Sequence, residues 1–567
     1  MLLLLIAGSI FFFLAMSIGY VVNNALRQLQ PYSTPLFEIL LTGTATITIY
    51  LNFLSFFFPS GYLLLVPLAI AALIIVFTTP FLVDLKTKAN KIAGVLFHKE
   101  RMAVTIAVAL VILIFAIVPP YNTDSSGYHI LSILWNEKFK VVPGLANLFP
   151  QFGFNSAFMV LSAPFSFTAI TGQSIYPINP VLVLAFFGWM LHKSYQYRGM
   201  SRLLFIPLLF ILFRQFPINI ASPSADALAS MLVLYCFFTL LETKENWQGG
   251  EWKVLLLLAF FSVIIKISTI PLMLFVFLPF IFYRKAHKEI IKNYIPVAAI
   301  GLCIFLPWIA RNIILSGYIL FPFPSIDLVN VDWKVPLQVA EAERLHVSHA
   351  PRMVSEDWVY VNRLSFMQWF PTWLGKLWHS NKINALLTYA TFATPVVAVV
   401  VFKRYPYKKW IASFAVAYLG ILFWLIGSPD VRFGYHFMIP VIFFPLLLLL
   451  NNTHKTGGKI SESIYTLAAL GMCVYFSYVA ARMLAPYTIS QYAVKPLKSE
   501  EYHKNNDLGS FTFVPLSDSI KLYIHDRHHH SLNAPLPSTD VFRPGVRLRG
   551  TTLQDGFRNI QDTTIAK

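Results

Sequence analysis

The sequence has 567 residues, of which 57% are hydrophobic and only 12% are charged. A soluble protein carries about twice that share of charged residues, so the composition excludes an ordinary soluble enzyme and indicates a polytopic membrane protein. The net charge of +18 does not indicate nucleic-acid binding, because the basic residues form short clusters between apolar runs rather than one continuous face.

Apolar runs of membrane-spanning length recur along the chain and predict an all-α fold with about 14 transmembrane helices. The first run has no basic segment before it and no convincing cleavage site, so we interpret it as a retained span rather than a signal peptide. The predicted spans are residues 1–22, 36–58, 62–83, 102–118, 178–192, 202–217, 226–242, 254–268, 270–283, 293–309, 384–402, 410–426, 435–452 and 462–482.

The charges between the spans predict the orientation of the chain. Basic residues cluster in loops that, for about 14 spans, all fall on one side of the membrane, and the positive-inside rule makes that side cytoplasmic. These residues are Lys86, Lys88, Lys91, Lys99, Arg101, Lys193, Arg198, Arg202, Arg284, Lys285, Lys288, Lys403, Arg404, Lys408, Lys409, Lys455 and Lys459. We therefore expect a multi-pass protein of the plasma (cytoplasmic) membrane.

The same pattern divides the chain into three predicted parts. Residues 1–100 form an N-terminal membrane segment of three helices, and residues 101–482 form a membrane core. Two large loops of this core, 119–177 and 310–383, face the extracytoplasmic side together with a small C-terminal domain, residues 483–567.

The first large external loop contains an acidic residue at the start of a helical pattern. Apolar residues in "DSSGYHILSILW" recur at helical spacing after Asp124 and predict an interfacial amphipathic helix that carries Tyr128 and His129. Asp124 is either the N-cap of this helix or an acidic group of an active site. The next stretch, "KVVPGLANLFPQFGFNSAF", includes Asn155 and is longer than a connector requires, which is typical of functional loops.

A polar break interrupts the apolar residues 254–283. This segment is too short for two full crossings, yet basic residues flank it on both sides. The sequence "IIKISTIP" places Lys266 and a proline in its middle, which predicts two short helices that meet below the membrane surface. Such backbone is tolerated only inside protein or beside a watery cavity, where Lys266 would face a partner or a substrate.

Three further external positions carry charged residues. Asp226 in "SPSADALASML" begins a span and is either its N-cap or part of a site. Arg311 in "PWIARNIIL" is either an interface anchor or a phosphate ligand. The turn "GSPDVRFGYHF" contains Asp430 and Arg432, and Arg432 is a basic residue on the side that the topology rule disfavours, which indicates a specific role for its charge.

The sequence predicts no metal site. The cysteines Cys236, Cys303 and Cys473 all fall within apolar runs, where small core residues are expected rather than disulfides or metal ligands. The triplet 528–530 is three histidines without an acidic or cysteine cluster beside it, and we interpret it as a solvated loop.

An acidic residue in the first external loop, amphipathic helices after it, many spans and an external C-terminal domain resemble the GT-C superfamily of membrane glycosyltransferases. The stretches "TDSSGYH", "VPGLANLFPQFGFNS", "SPSAD", "RNIILSGY" and "RLRGTTLQDGFR" also resemble an uncharacterised group of bacterial multipass proteins with that layout. The resemblance covers most of residues 100–567. The chain departs from the superfamily in having three spans before the one that leads to Asp124, and a single aspartate where several families have paired acidic residues.

The resemblance implies an inverting transfer of a sugar from a polyprenyl-phosphate donor to a glycan, lipid or protein acceptor outside the cytoplasm. Asp124 would be the general base, and Arg432, Lys266 and Arg311 would bind the donor phosphate. Tyr128, His129, Asn155, Asp226 and Asp430 would position the acceptor or substrate. No cofactor is implied, although a diphosphate donor would call for a divalent cation. Membrane lipids are the other expected partners, and nucleic acid is not expected.

Two other functions are compatible with the sequence. A lipid or glycolipid transporter or flippase predicts ionisable residues along the full depth of the bundle and internally repeated halves. The polar residues of this chain instead collect toward one face, and no repeat is evident. A non-catalytic membrane scaffold is the second alternative.

Overall fold

The computed structural model describes residues 1–27, 34–242, 250–282, 287–453, 458–498, 511–525 and 534–560, and 74% of the chain is helical. The α-helices in chain order are α1 (Leu2–Arg27), α2 (Leu36–Leu54), α3 (Leu65–Thr78), α4 (Phe81–Leu96), α5 (Met102–Ile117), α6 (Ile130–Lys138), α7 (Leu145–Leu148), α8 (Ala157–Ser162), α9 (Thr168–Thr171), α10 (Ile178–Gln196), α11 (Met200–Leu203), α12 (Phe205–Gln215), α13 (Pro217–Ile220), α14 (Ala225–Glu242), α15 (Glu251–Ile265), α16 (Leu278–Phe282), α17 (His287–Ser316), α18 (Leu337–His349), α19 (Trp358–Arg363), α20 (Phe366–Ser380), α21 (Lys382–Arg404), α22 (Lys408–Gly427), α23 (Val431–Thr453), α24 (Gly458–Leu484) and α25 (Ile489–Tyr492).

Each predicted span overlaps one or more consecutive helical segments. In the described part of the chain, eight helices are long and apolar enough to cross a membrane, and a bent pair, Tyr62–Thr78 with Phe81–Leu96, raises this number to nine. The two helices of that pair meet at 83°. Of the basic residues after span three, Lys86, Lys88 and Lys91 lie on α4, whereas Lys99 and Arg101 lie in the turn that follows it. The structure therefore supports an all-α polytopic fold, and the count of about 14 spans stays a prediction.

The break predicted at Lys266 is confirmed. Helix α15 ends at Ile265, Lys266 has extended backbone angles, and the chain continues as a 3₁₀ segment, Ile267–Phe277, before α16. The Ser156 hydroxyl donates a 2.7 Å hydrogen bond to the carbonyl oxygen of Ile265. The last carbonyl groups of a helix have no donor within the helix, so this bond satisfies one of them. Side chains of the neighbouring loop thus stabilise the interruption.

Helices α1 and α2 pack with their backbones in contact. A Cβ atom on Gly43 would lie 1.7 Å from the carbonyl oxygen of Ala15, and one on Gly19 would lie 2.0 Å from that of Ile39. Glycine at these positions removes the side chain that would hold the helices apart, as in other closely packed membrane helices.

Ion pairs connect the predicted basic loops at one end of the bundle. Glu462 accepts contacts of 3.1 Å from both Arg101 and Arg202, so the loops after spans three, five and thirteen meet there. Lys193 pairs with Glu242 at 2.5 Å in the same region. The predicted basic positions 284, 285 and 455 lie outside the described residues.

The opposite end of the bundle carries the strands. β1 (Phe511–Pro515) and β2 (Lys521–His525) are antiparallel, β2 and β3 (Ser538–Thr539) are parallel, and β4 (Val546–Leu548) pairs antiparallel with β5 (Phe557–Asn559). In this register Phe513 faces Tyr523 and Val546 faces Asn559.

The strands cover α6, which corrects the prediction of an interfacial helix at this position. Leu131, Ile133, Leu134 and Trp135 are all buried, and the Trp135 ring lies 6.0 Å from the ring of Phe557 on β5. The helix is therefore enclosed between the bundle and the strands. Helix α20 buries Trp369, Trp373 and Leu377, while Phe366, Met367 and Trp378 are exposed.

The cysteines are free, and two of them match the prediction. Cys236 and Cys473 are buried, as expected of small core residues. Cys303 is exposed on α17, because that helix presents a large part of its apolar surface outward, so this residue is not part of the core.

Candidate functional site

A cavity of about 830 Å³ opens at the end of the bundle that carries the strands. Its wall is formed by residues from the loop after α5, the starts of α14 and α23, the break after α15, the end of α17, and α18. All nine predicted site residues line this one cavity: Asp124, Tyr128, His129, Asn155, Asp226, Lys266, Arg311, Asp430 and Arg432. The fold brings them together from six separate stretches of sequence.

Asp124 does not act as a helix cap. It precedes a π-helical turn, Ser125–His129, and its side chain accepts no capping hydrogen bond from the described backbone of that turn. Its carboxylate Oδ2 instead lies 2.7 Å from Nη1 of Arg432. The side chain of Asp124 remains 32% exposed in the cavity, so the carboxylate is paired and still accessible.

Arg432 bridges two carboxylates at the start of α23. Its Nε lies 3.1 Å from Oδ2 of Asp430, and its backbone N–H donates to Oδ1 of the same residue at 2.9 Å. Trp424 fixes Asp430 in turn by donating from Nε1 to its carbonyl oxygen at 2.6 Å. This arrangement holds the Arg432 guanidinium beside Asp124.

Lys266 and Asp226 form a second ion pair in the cavity wall. Asp226 lies at the start of α14 and Lys266 at the break after α15, so the interruption of the helix is what places the ammonium group here. The ring of Phe433 joins the two pairs, because the Nζ of Lys266 lies 3.8 Å and the guanidinium carbon of Arg432 lies 4.6 Å from its centroid.

Arg311 is held by neutral oxygens rather than by a carboxylate. Its guanidinium donates to Asn155 Oδ1 at 3.1 Å, Ser55 Oγ at 2.5 Å and Asn136 Oδ1 at 2.9 Å. Asn155 adopts left-handed backbone angles, and Trp308 fixes it by donating to its carbonyl oxygen at 2.9 Å. Arg311 is only 2% exposed, so among the described residues it is a buried cation whose charge these contacts leave uncompensated.

His129 is buried and Tyr128 is partly buried, both near Asp124 in the sequence. Burial lowers the pKa of His129 to about 4, so its imidazole is neutral at pH 7 and contributes no charge to the cavity. A hydrogen bond of 3.1 Å joins its Nδ1 to Ser125 Oγ. Burial also raises the pKa of Tyr128 well above its ordinary value, so this phenol stays protonated.

Several cavity residues escaped the sequence analysis, and five of them bear on the chemistry of the site. Gln151 lies in the first external loop, and Glu343, His346, Arg352 and Trp369 come from the stretch 310–383. Helix α18 presents Glu343 and His346 to the cavity as a third ionisable pair. The distance between Glu343 Oε1 and His346 Nδ1 is 3.8 Å. The only signal in the sequence was the length of this loop.

The charges of the predicted site residues balance. Three carboxylates, Asp124, Asp226 and Asp430, stand against three cations, Arg432, Lys266 and Arg311. Within the described residues no group of three or more His, Cys, Asp or Glu side chains is arranged to hold a metal ion, and the predicted solvated histidines 528–530 lie outside that part of the chain. An anionic group that binds Nη1 of Arg432 must displace Asp124, whereas Arg311 has no carboxylate partner among the described residues.

Comparison with known proteins gives one match. A family model described as a domain of unknown function (DUF8201) matches residues 1–439, a segment that includes all nine predicted site residues. No curated protein and no solved structure matches the chain.

Proposed function

The chain belongs to the family described as a domain of unknown function (DUF8201), and from its cavity we propose that it is a membrane glycosyltransferase of the GT-C type. It transfers a sugar from a polyprenyl-phosphate donor to an extracytoplasmic acceptor, with inversion at the anomeric carbon. The observation that carries the proposal is the ion pair of 2.7 Å between Asp124 and Arg432, which places a candidate base next to a candidate phosphate ligand.

The donor phosphate competes with Asp124 for Arg432. A planar guanidinium binds two phosphate oxygens at once, and a cavity at the end of apolar helices strengthens that contact by excluding water. Asp430 keeps the guanidinium in place through its 3.1 Å contact with Nε while the partner on Nη1 changes. Donor binding therefore releases the Asp124 carboxylate as it fills the phosphate site.

The released carboxylate then acts as general base. Asp124 takes the proton from an acceptor hydroxyl as that oxygen attacks the anomeric carbon of the donor. The bond between this carbon and the phosphate oxygen breaks on the opposite face, and the phosphate leaves with the electron pair. Arg432 and Lys266 stabilise the charge on the leaving group, and the attack from the opposite face inverts the configuration.

Arg311 supplies a third positive charge to the cavity. Because its partners are neutral, its charge is not cancelled locally and favours an anionic ligand. A monophosphate leaving group is served by these side chains without a cofactor, whereas a diphosphate donor would call for a divalent cation.

The test of this proposal is Asp124→Asn. The variant keeps the size of the side chain and loses the proton acceptor, so we expect transfer to fall by about 10²–10⁴-fold with folding unchanged. The assay measures the polyprenyl phosphate that purified protein releases during transfer. A panel of polyprenyl-phosphate monosaccharides serves as donors, and envelope glycans serve as acceptors. Asp357→Asn is the matched control, because Asp357 caps α19 by accepting from the Tyr360 N–H at 3.0 Å and lies outside the cavity.

Arg432→Lys separates phosphate binding from catalysis in the same assay. The variant keeps the positive charge but loses the planar group that donates two parallel hydrogen bonds to a phosphate. We therefore expect a higher KM for the polyprenyl-phosphate sugar. A wild-type rate in Asp124→Asn would refute the base assignment. If the wild-type protein transfers no sugar but moves lipid-linked sugar across the membrane of reconstituted vesicles, the protein is a flippase and not a glycosyltransferase.

A further inference from the structure

Helix α18 presents a buried carboxylate to the cavity. Glu343 is only 7% exposed and lines the cavity wall. Its Oε2 accepts a hydrogen bond of 3.4 Å from Gln151 Nε2. Its Oε1 accepts no hydrogen bond from the described residues and lies 3.8 Å from His346 Nδ1. One oxygen of a buried carboxylate is therefore left for a ligand.

Gln151, which contacts Glu343, carries a second oxygen to which no described residue donates. Its Nε2 is engaged by Glu343, while its buried Oε1 has no donor among the described residues. A buried acceptor without a donor costs about 1–3 kcal/mol, so two of them on neighbouring side chains indicate a ligand or water that donates two hydrogen bonds. Water can fill this role, and a ligand with two donors can replace it.

Unpaired donors line the same cavity. The Nε of Arg352 and the Nε1 of Trp135 are buried, and within the described residues neither has an acceptor. Arg352 is held in place by its contact with the Trp369 ring, 4.5 Å from the guanidinium carbon to the centroid. A ligand that extends to these groups accepts hydrogen bonds as well as donating them.

We propose that the α18 side of the cavity binds the vicinal hydroxyls of a carbohydrate acceptor, with Glu343 and Gln151 accepting from two neighbouring hydroxyl groups. The inference rests on the proposed function and names the acceptor class that the function left open. Two adjacent hydroxyls donate to Glu343 Oε1 and Gln151 Oε1, and the further hydroxyls of a ligand that extends along the cavity can accept from Arg352 or Trp135. A simple alcohol supplies one donor only, and an ammonium group supplies donors but no acceptor.

The experiment measures binding of acceptor analogues without any donor. The probes are methyl glycosides of common hexoses, with ethanolamine and butanol as the amine and the simple alcohol, and the readout is saturation-transfer NMR on the full chain in nanodiscs. We expect at least one glycoside to bind the wild-type protein. Glu343→Gln replaces an acceptor by a donor and should weaken that binding about tenfold or more.

Two variants keep the test independent of folding. Glu341→Gln is the matched control, because Glu341 lies on the same helix but does not line the cavity. Its side chain is half-exposed and pairs with Arg344. Glycoside binding should therefore be unchanged in this variant. Gln151→Leu removes the second oxygen from a different element and should weaken binding like Glu343→Gln. Thermal unfolding of each variant identifies any that fails to fold.

Each outcome decides between the proposals. Absence of glycoside binding, equal binding in Glu343→Gln and wild type, or preferential binding of ethanolamine would overturn the carbohydrate assignment. Glycoside binding in a protein that transfers no sugar would leave this inference standing and refute the glycosyltransferase. If the protein transfers sugar to an acceptor but binds no glycoside, the glycosyltransferase proposal stands and the carbohydrate assignment of the α18 side is refuted.

Discussion

At the level of single residues, Asp124 has its ion-pair partner, Arg432, in a distant segment of the chain. An ionisable side chain in an apolar chain is costly, so each one near a span end indicates a role, and all nine selected residues line one cavity. The partners could not be predicted, because they depend on contacts between distant segments, such as the 2.7 Å pair of Asp124 with Arg432. Glu343 was missed because glutamate on a polar helix is ordinarily a solvated residue.

The buried His129 predicts a loss of stability at acidic pH. Burial lowers the pKa of this imidazole to about 4, below its ordinary value of about 6.5. The unfolded chain therefore binds a proton that the folded protein does not, and the free energy of unfolding falls as the pH drops from about 6.5 toward 4. Between pH 7 and 5 we expect a loss of about 2 kcal/mol.

The comparison that isolates this effect is His129→Gln. Thermal unfolding in detergent at both pH values should show a smaller decrease for the variant than for the wild type. Equal decreases would mean that other groups, and not His129, dominate the acid response.

At the level of elements, hydrophobic periodicity predicted where helices form but not how many cross the membrane. The break at Lys266 could be placed because a lysine and a proline occur together in an apolar run of insufficient length. The count of spans could not be fixed, because helices as short as α12 and α15 are stabilised by neighbours that the sequence does not reveal. The enclosure of α6 depends in the same way on strands that occur several hundred residues later in the chain.

The close contact of α1 and α2 predicts a strong effect of a single methyl group. In Gly43→Ala the added Cβ would lie 1.7 Å from the Ala15 carbonyl oxygen, so the two helices must separate. We expect a loss of about 2–3 kcal/mol, measured as a lower Tm of the purified protein. Gly471→Ala is the control, because a Cβ there meets no atom within 4 Å, and this substitution should be neutral or stabilising by up to about 1 kcal/mol.

On the scale of the whole molecule, the charged residues are divided between the two ends of the bundle. One end holds the basic loops with Glu242 and Glu462, and the other holds the cavity and the strands. Helix α22 links them, since it starts at Lys408 and ends at Gly427 on the cavity wall. The positive-inside rule could predict which loops share one end of the bundle, because the charge of each loop can be read from the sequence. The shape of the cavity cannot be read from the sequence.

Cysteine labelling tests which end faces the cytoplasm. In a chain with Cys303 replaced by serine, cysteines placed at Glu356 and Thr551 should react with a membrane-impermeant maleimide in intact cells, and one at Lys408 should not. All three positions are exposed, while the native Cys236 and Cys473 are buried, so accessibility reports sidedness. Labelling at Lys408 from outside would reverse the proposed orientation.

The contact between Phe557 and the loop of residues 139–149 bears on how the protein is made. The Phe557 N–H donates to the Pro143 carbonyl oxygen at 2.9 Å, and neighbouring residues of this loop form part of the cavity wall. The ribosome synthesises β5 long after the helices that it completes, so these helices enter the membrane with the wall unfinished. Biogenesis itself therefore delays the completion of the cavity wall until β5 has been synthesised.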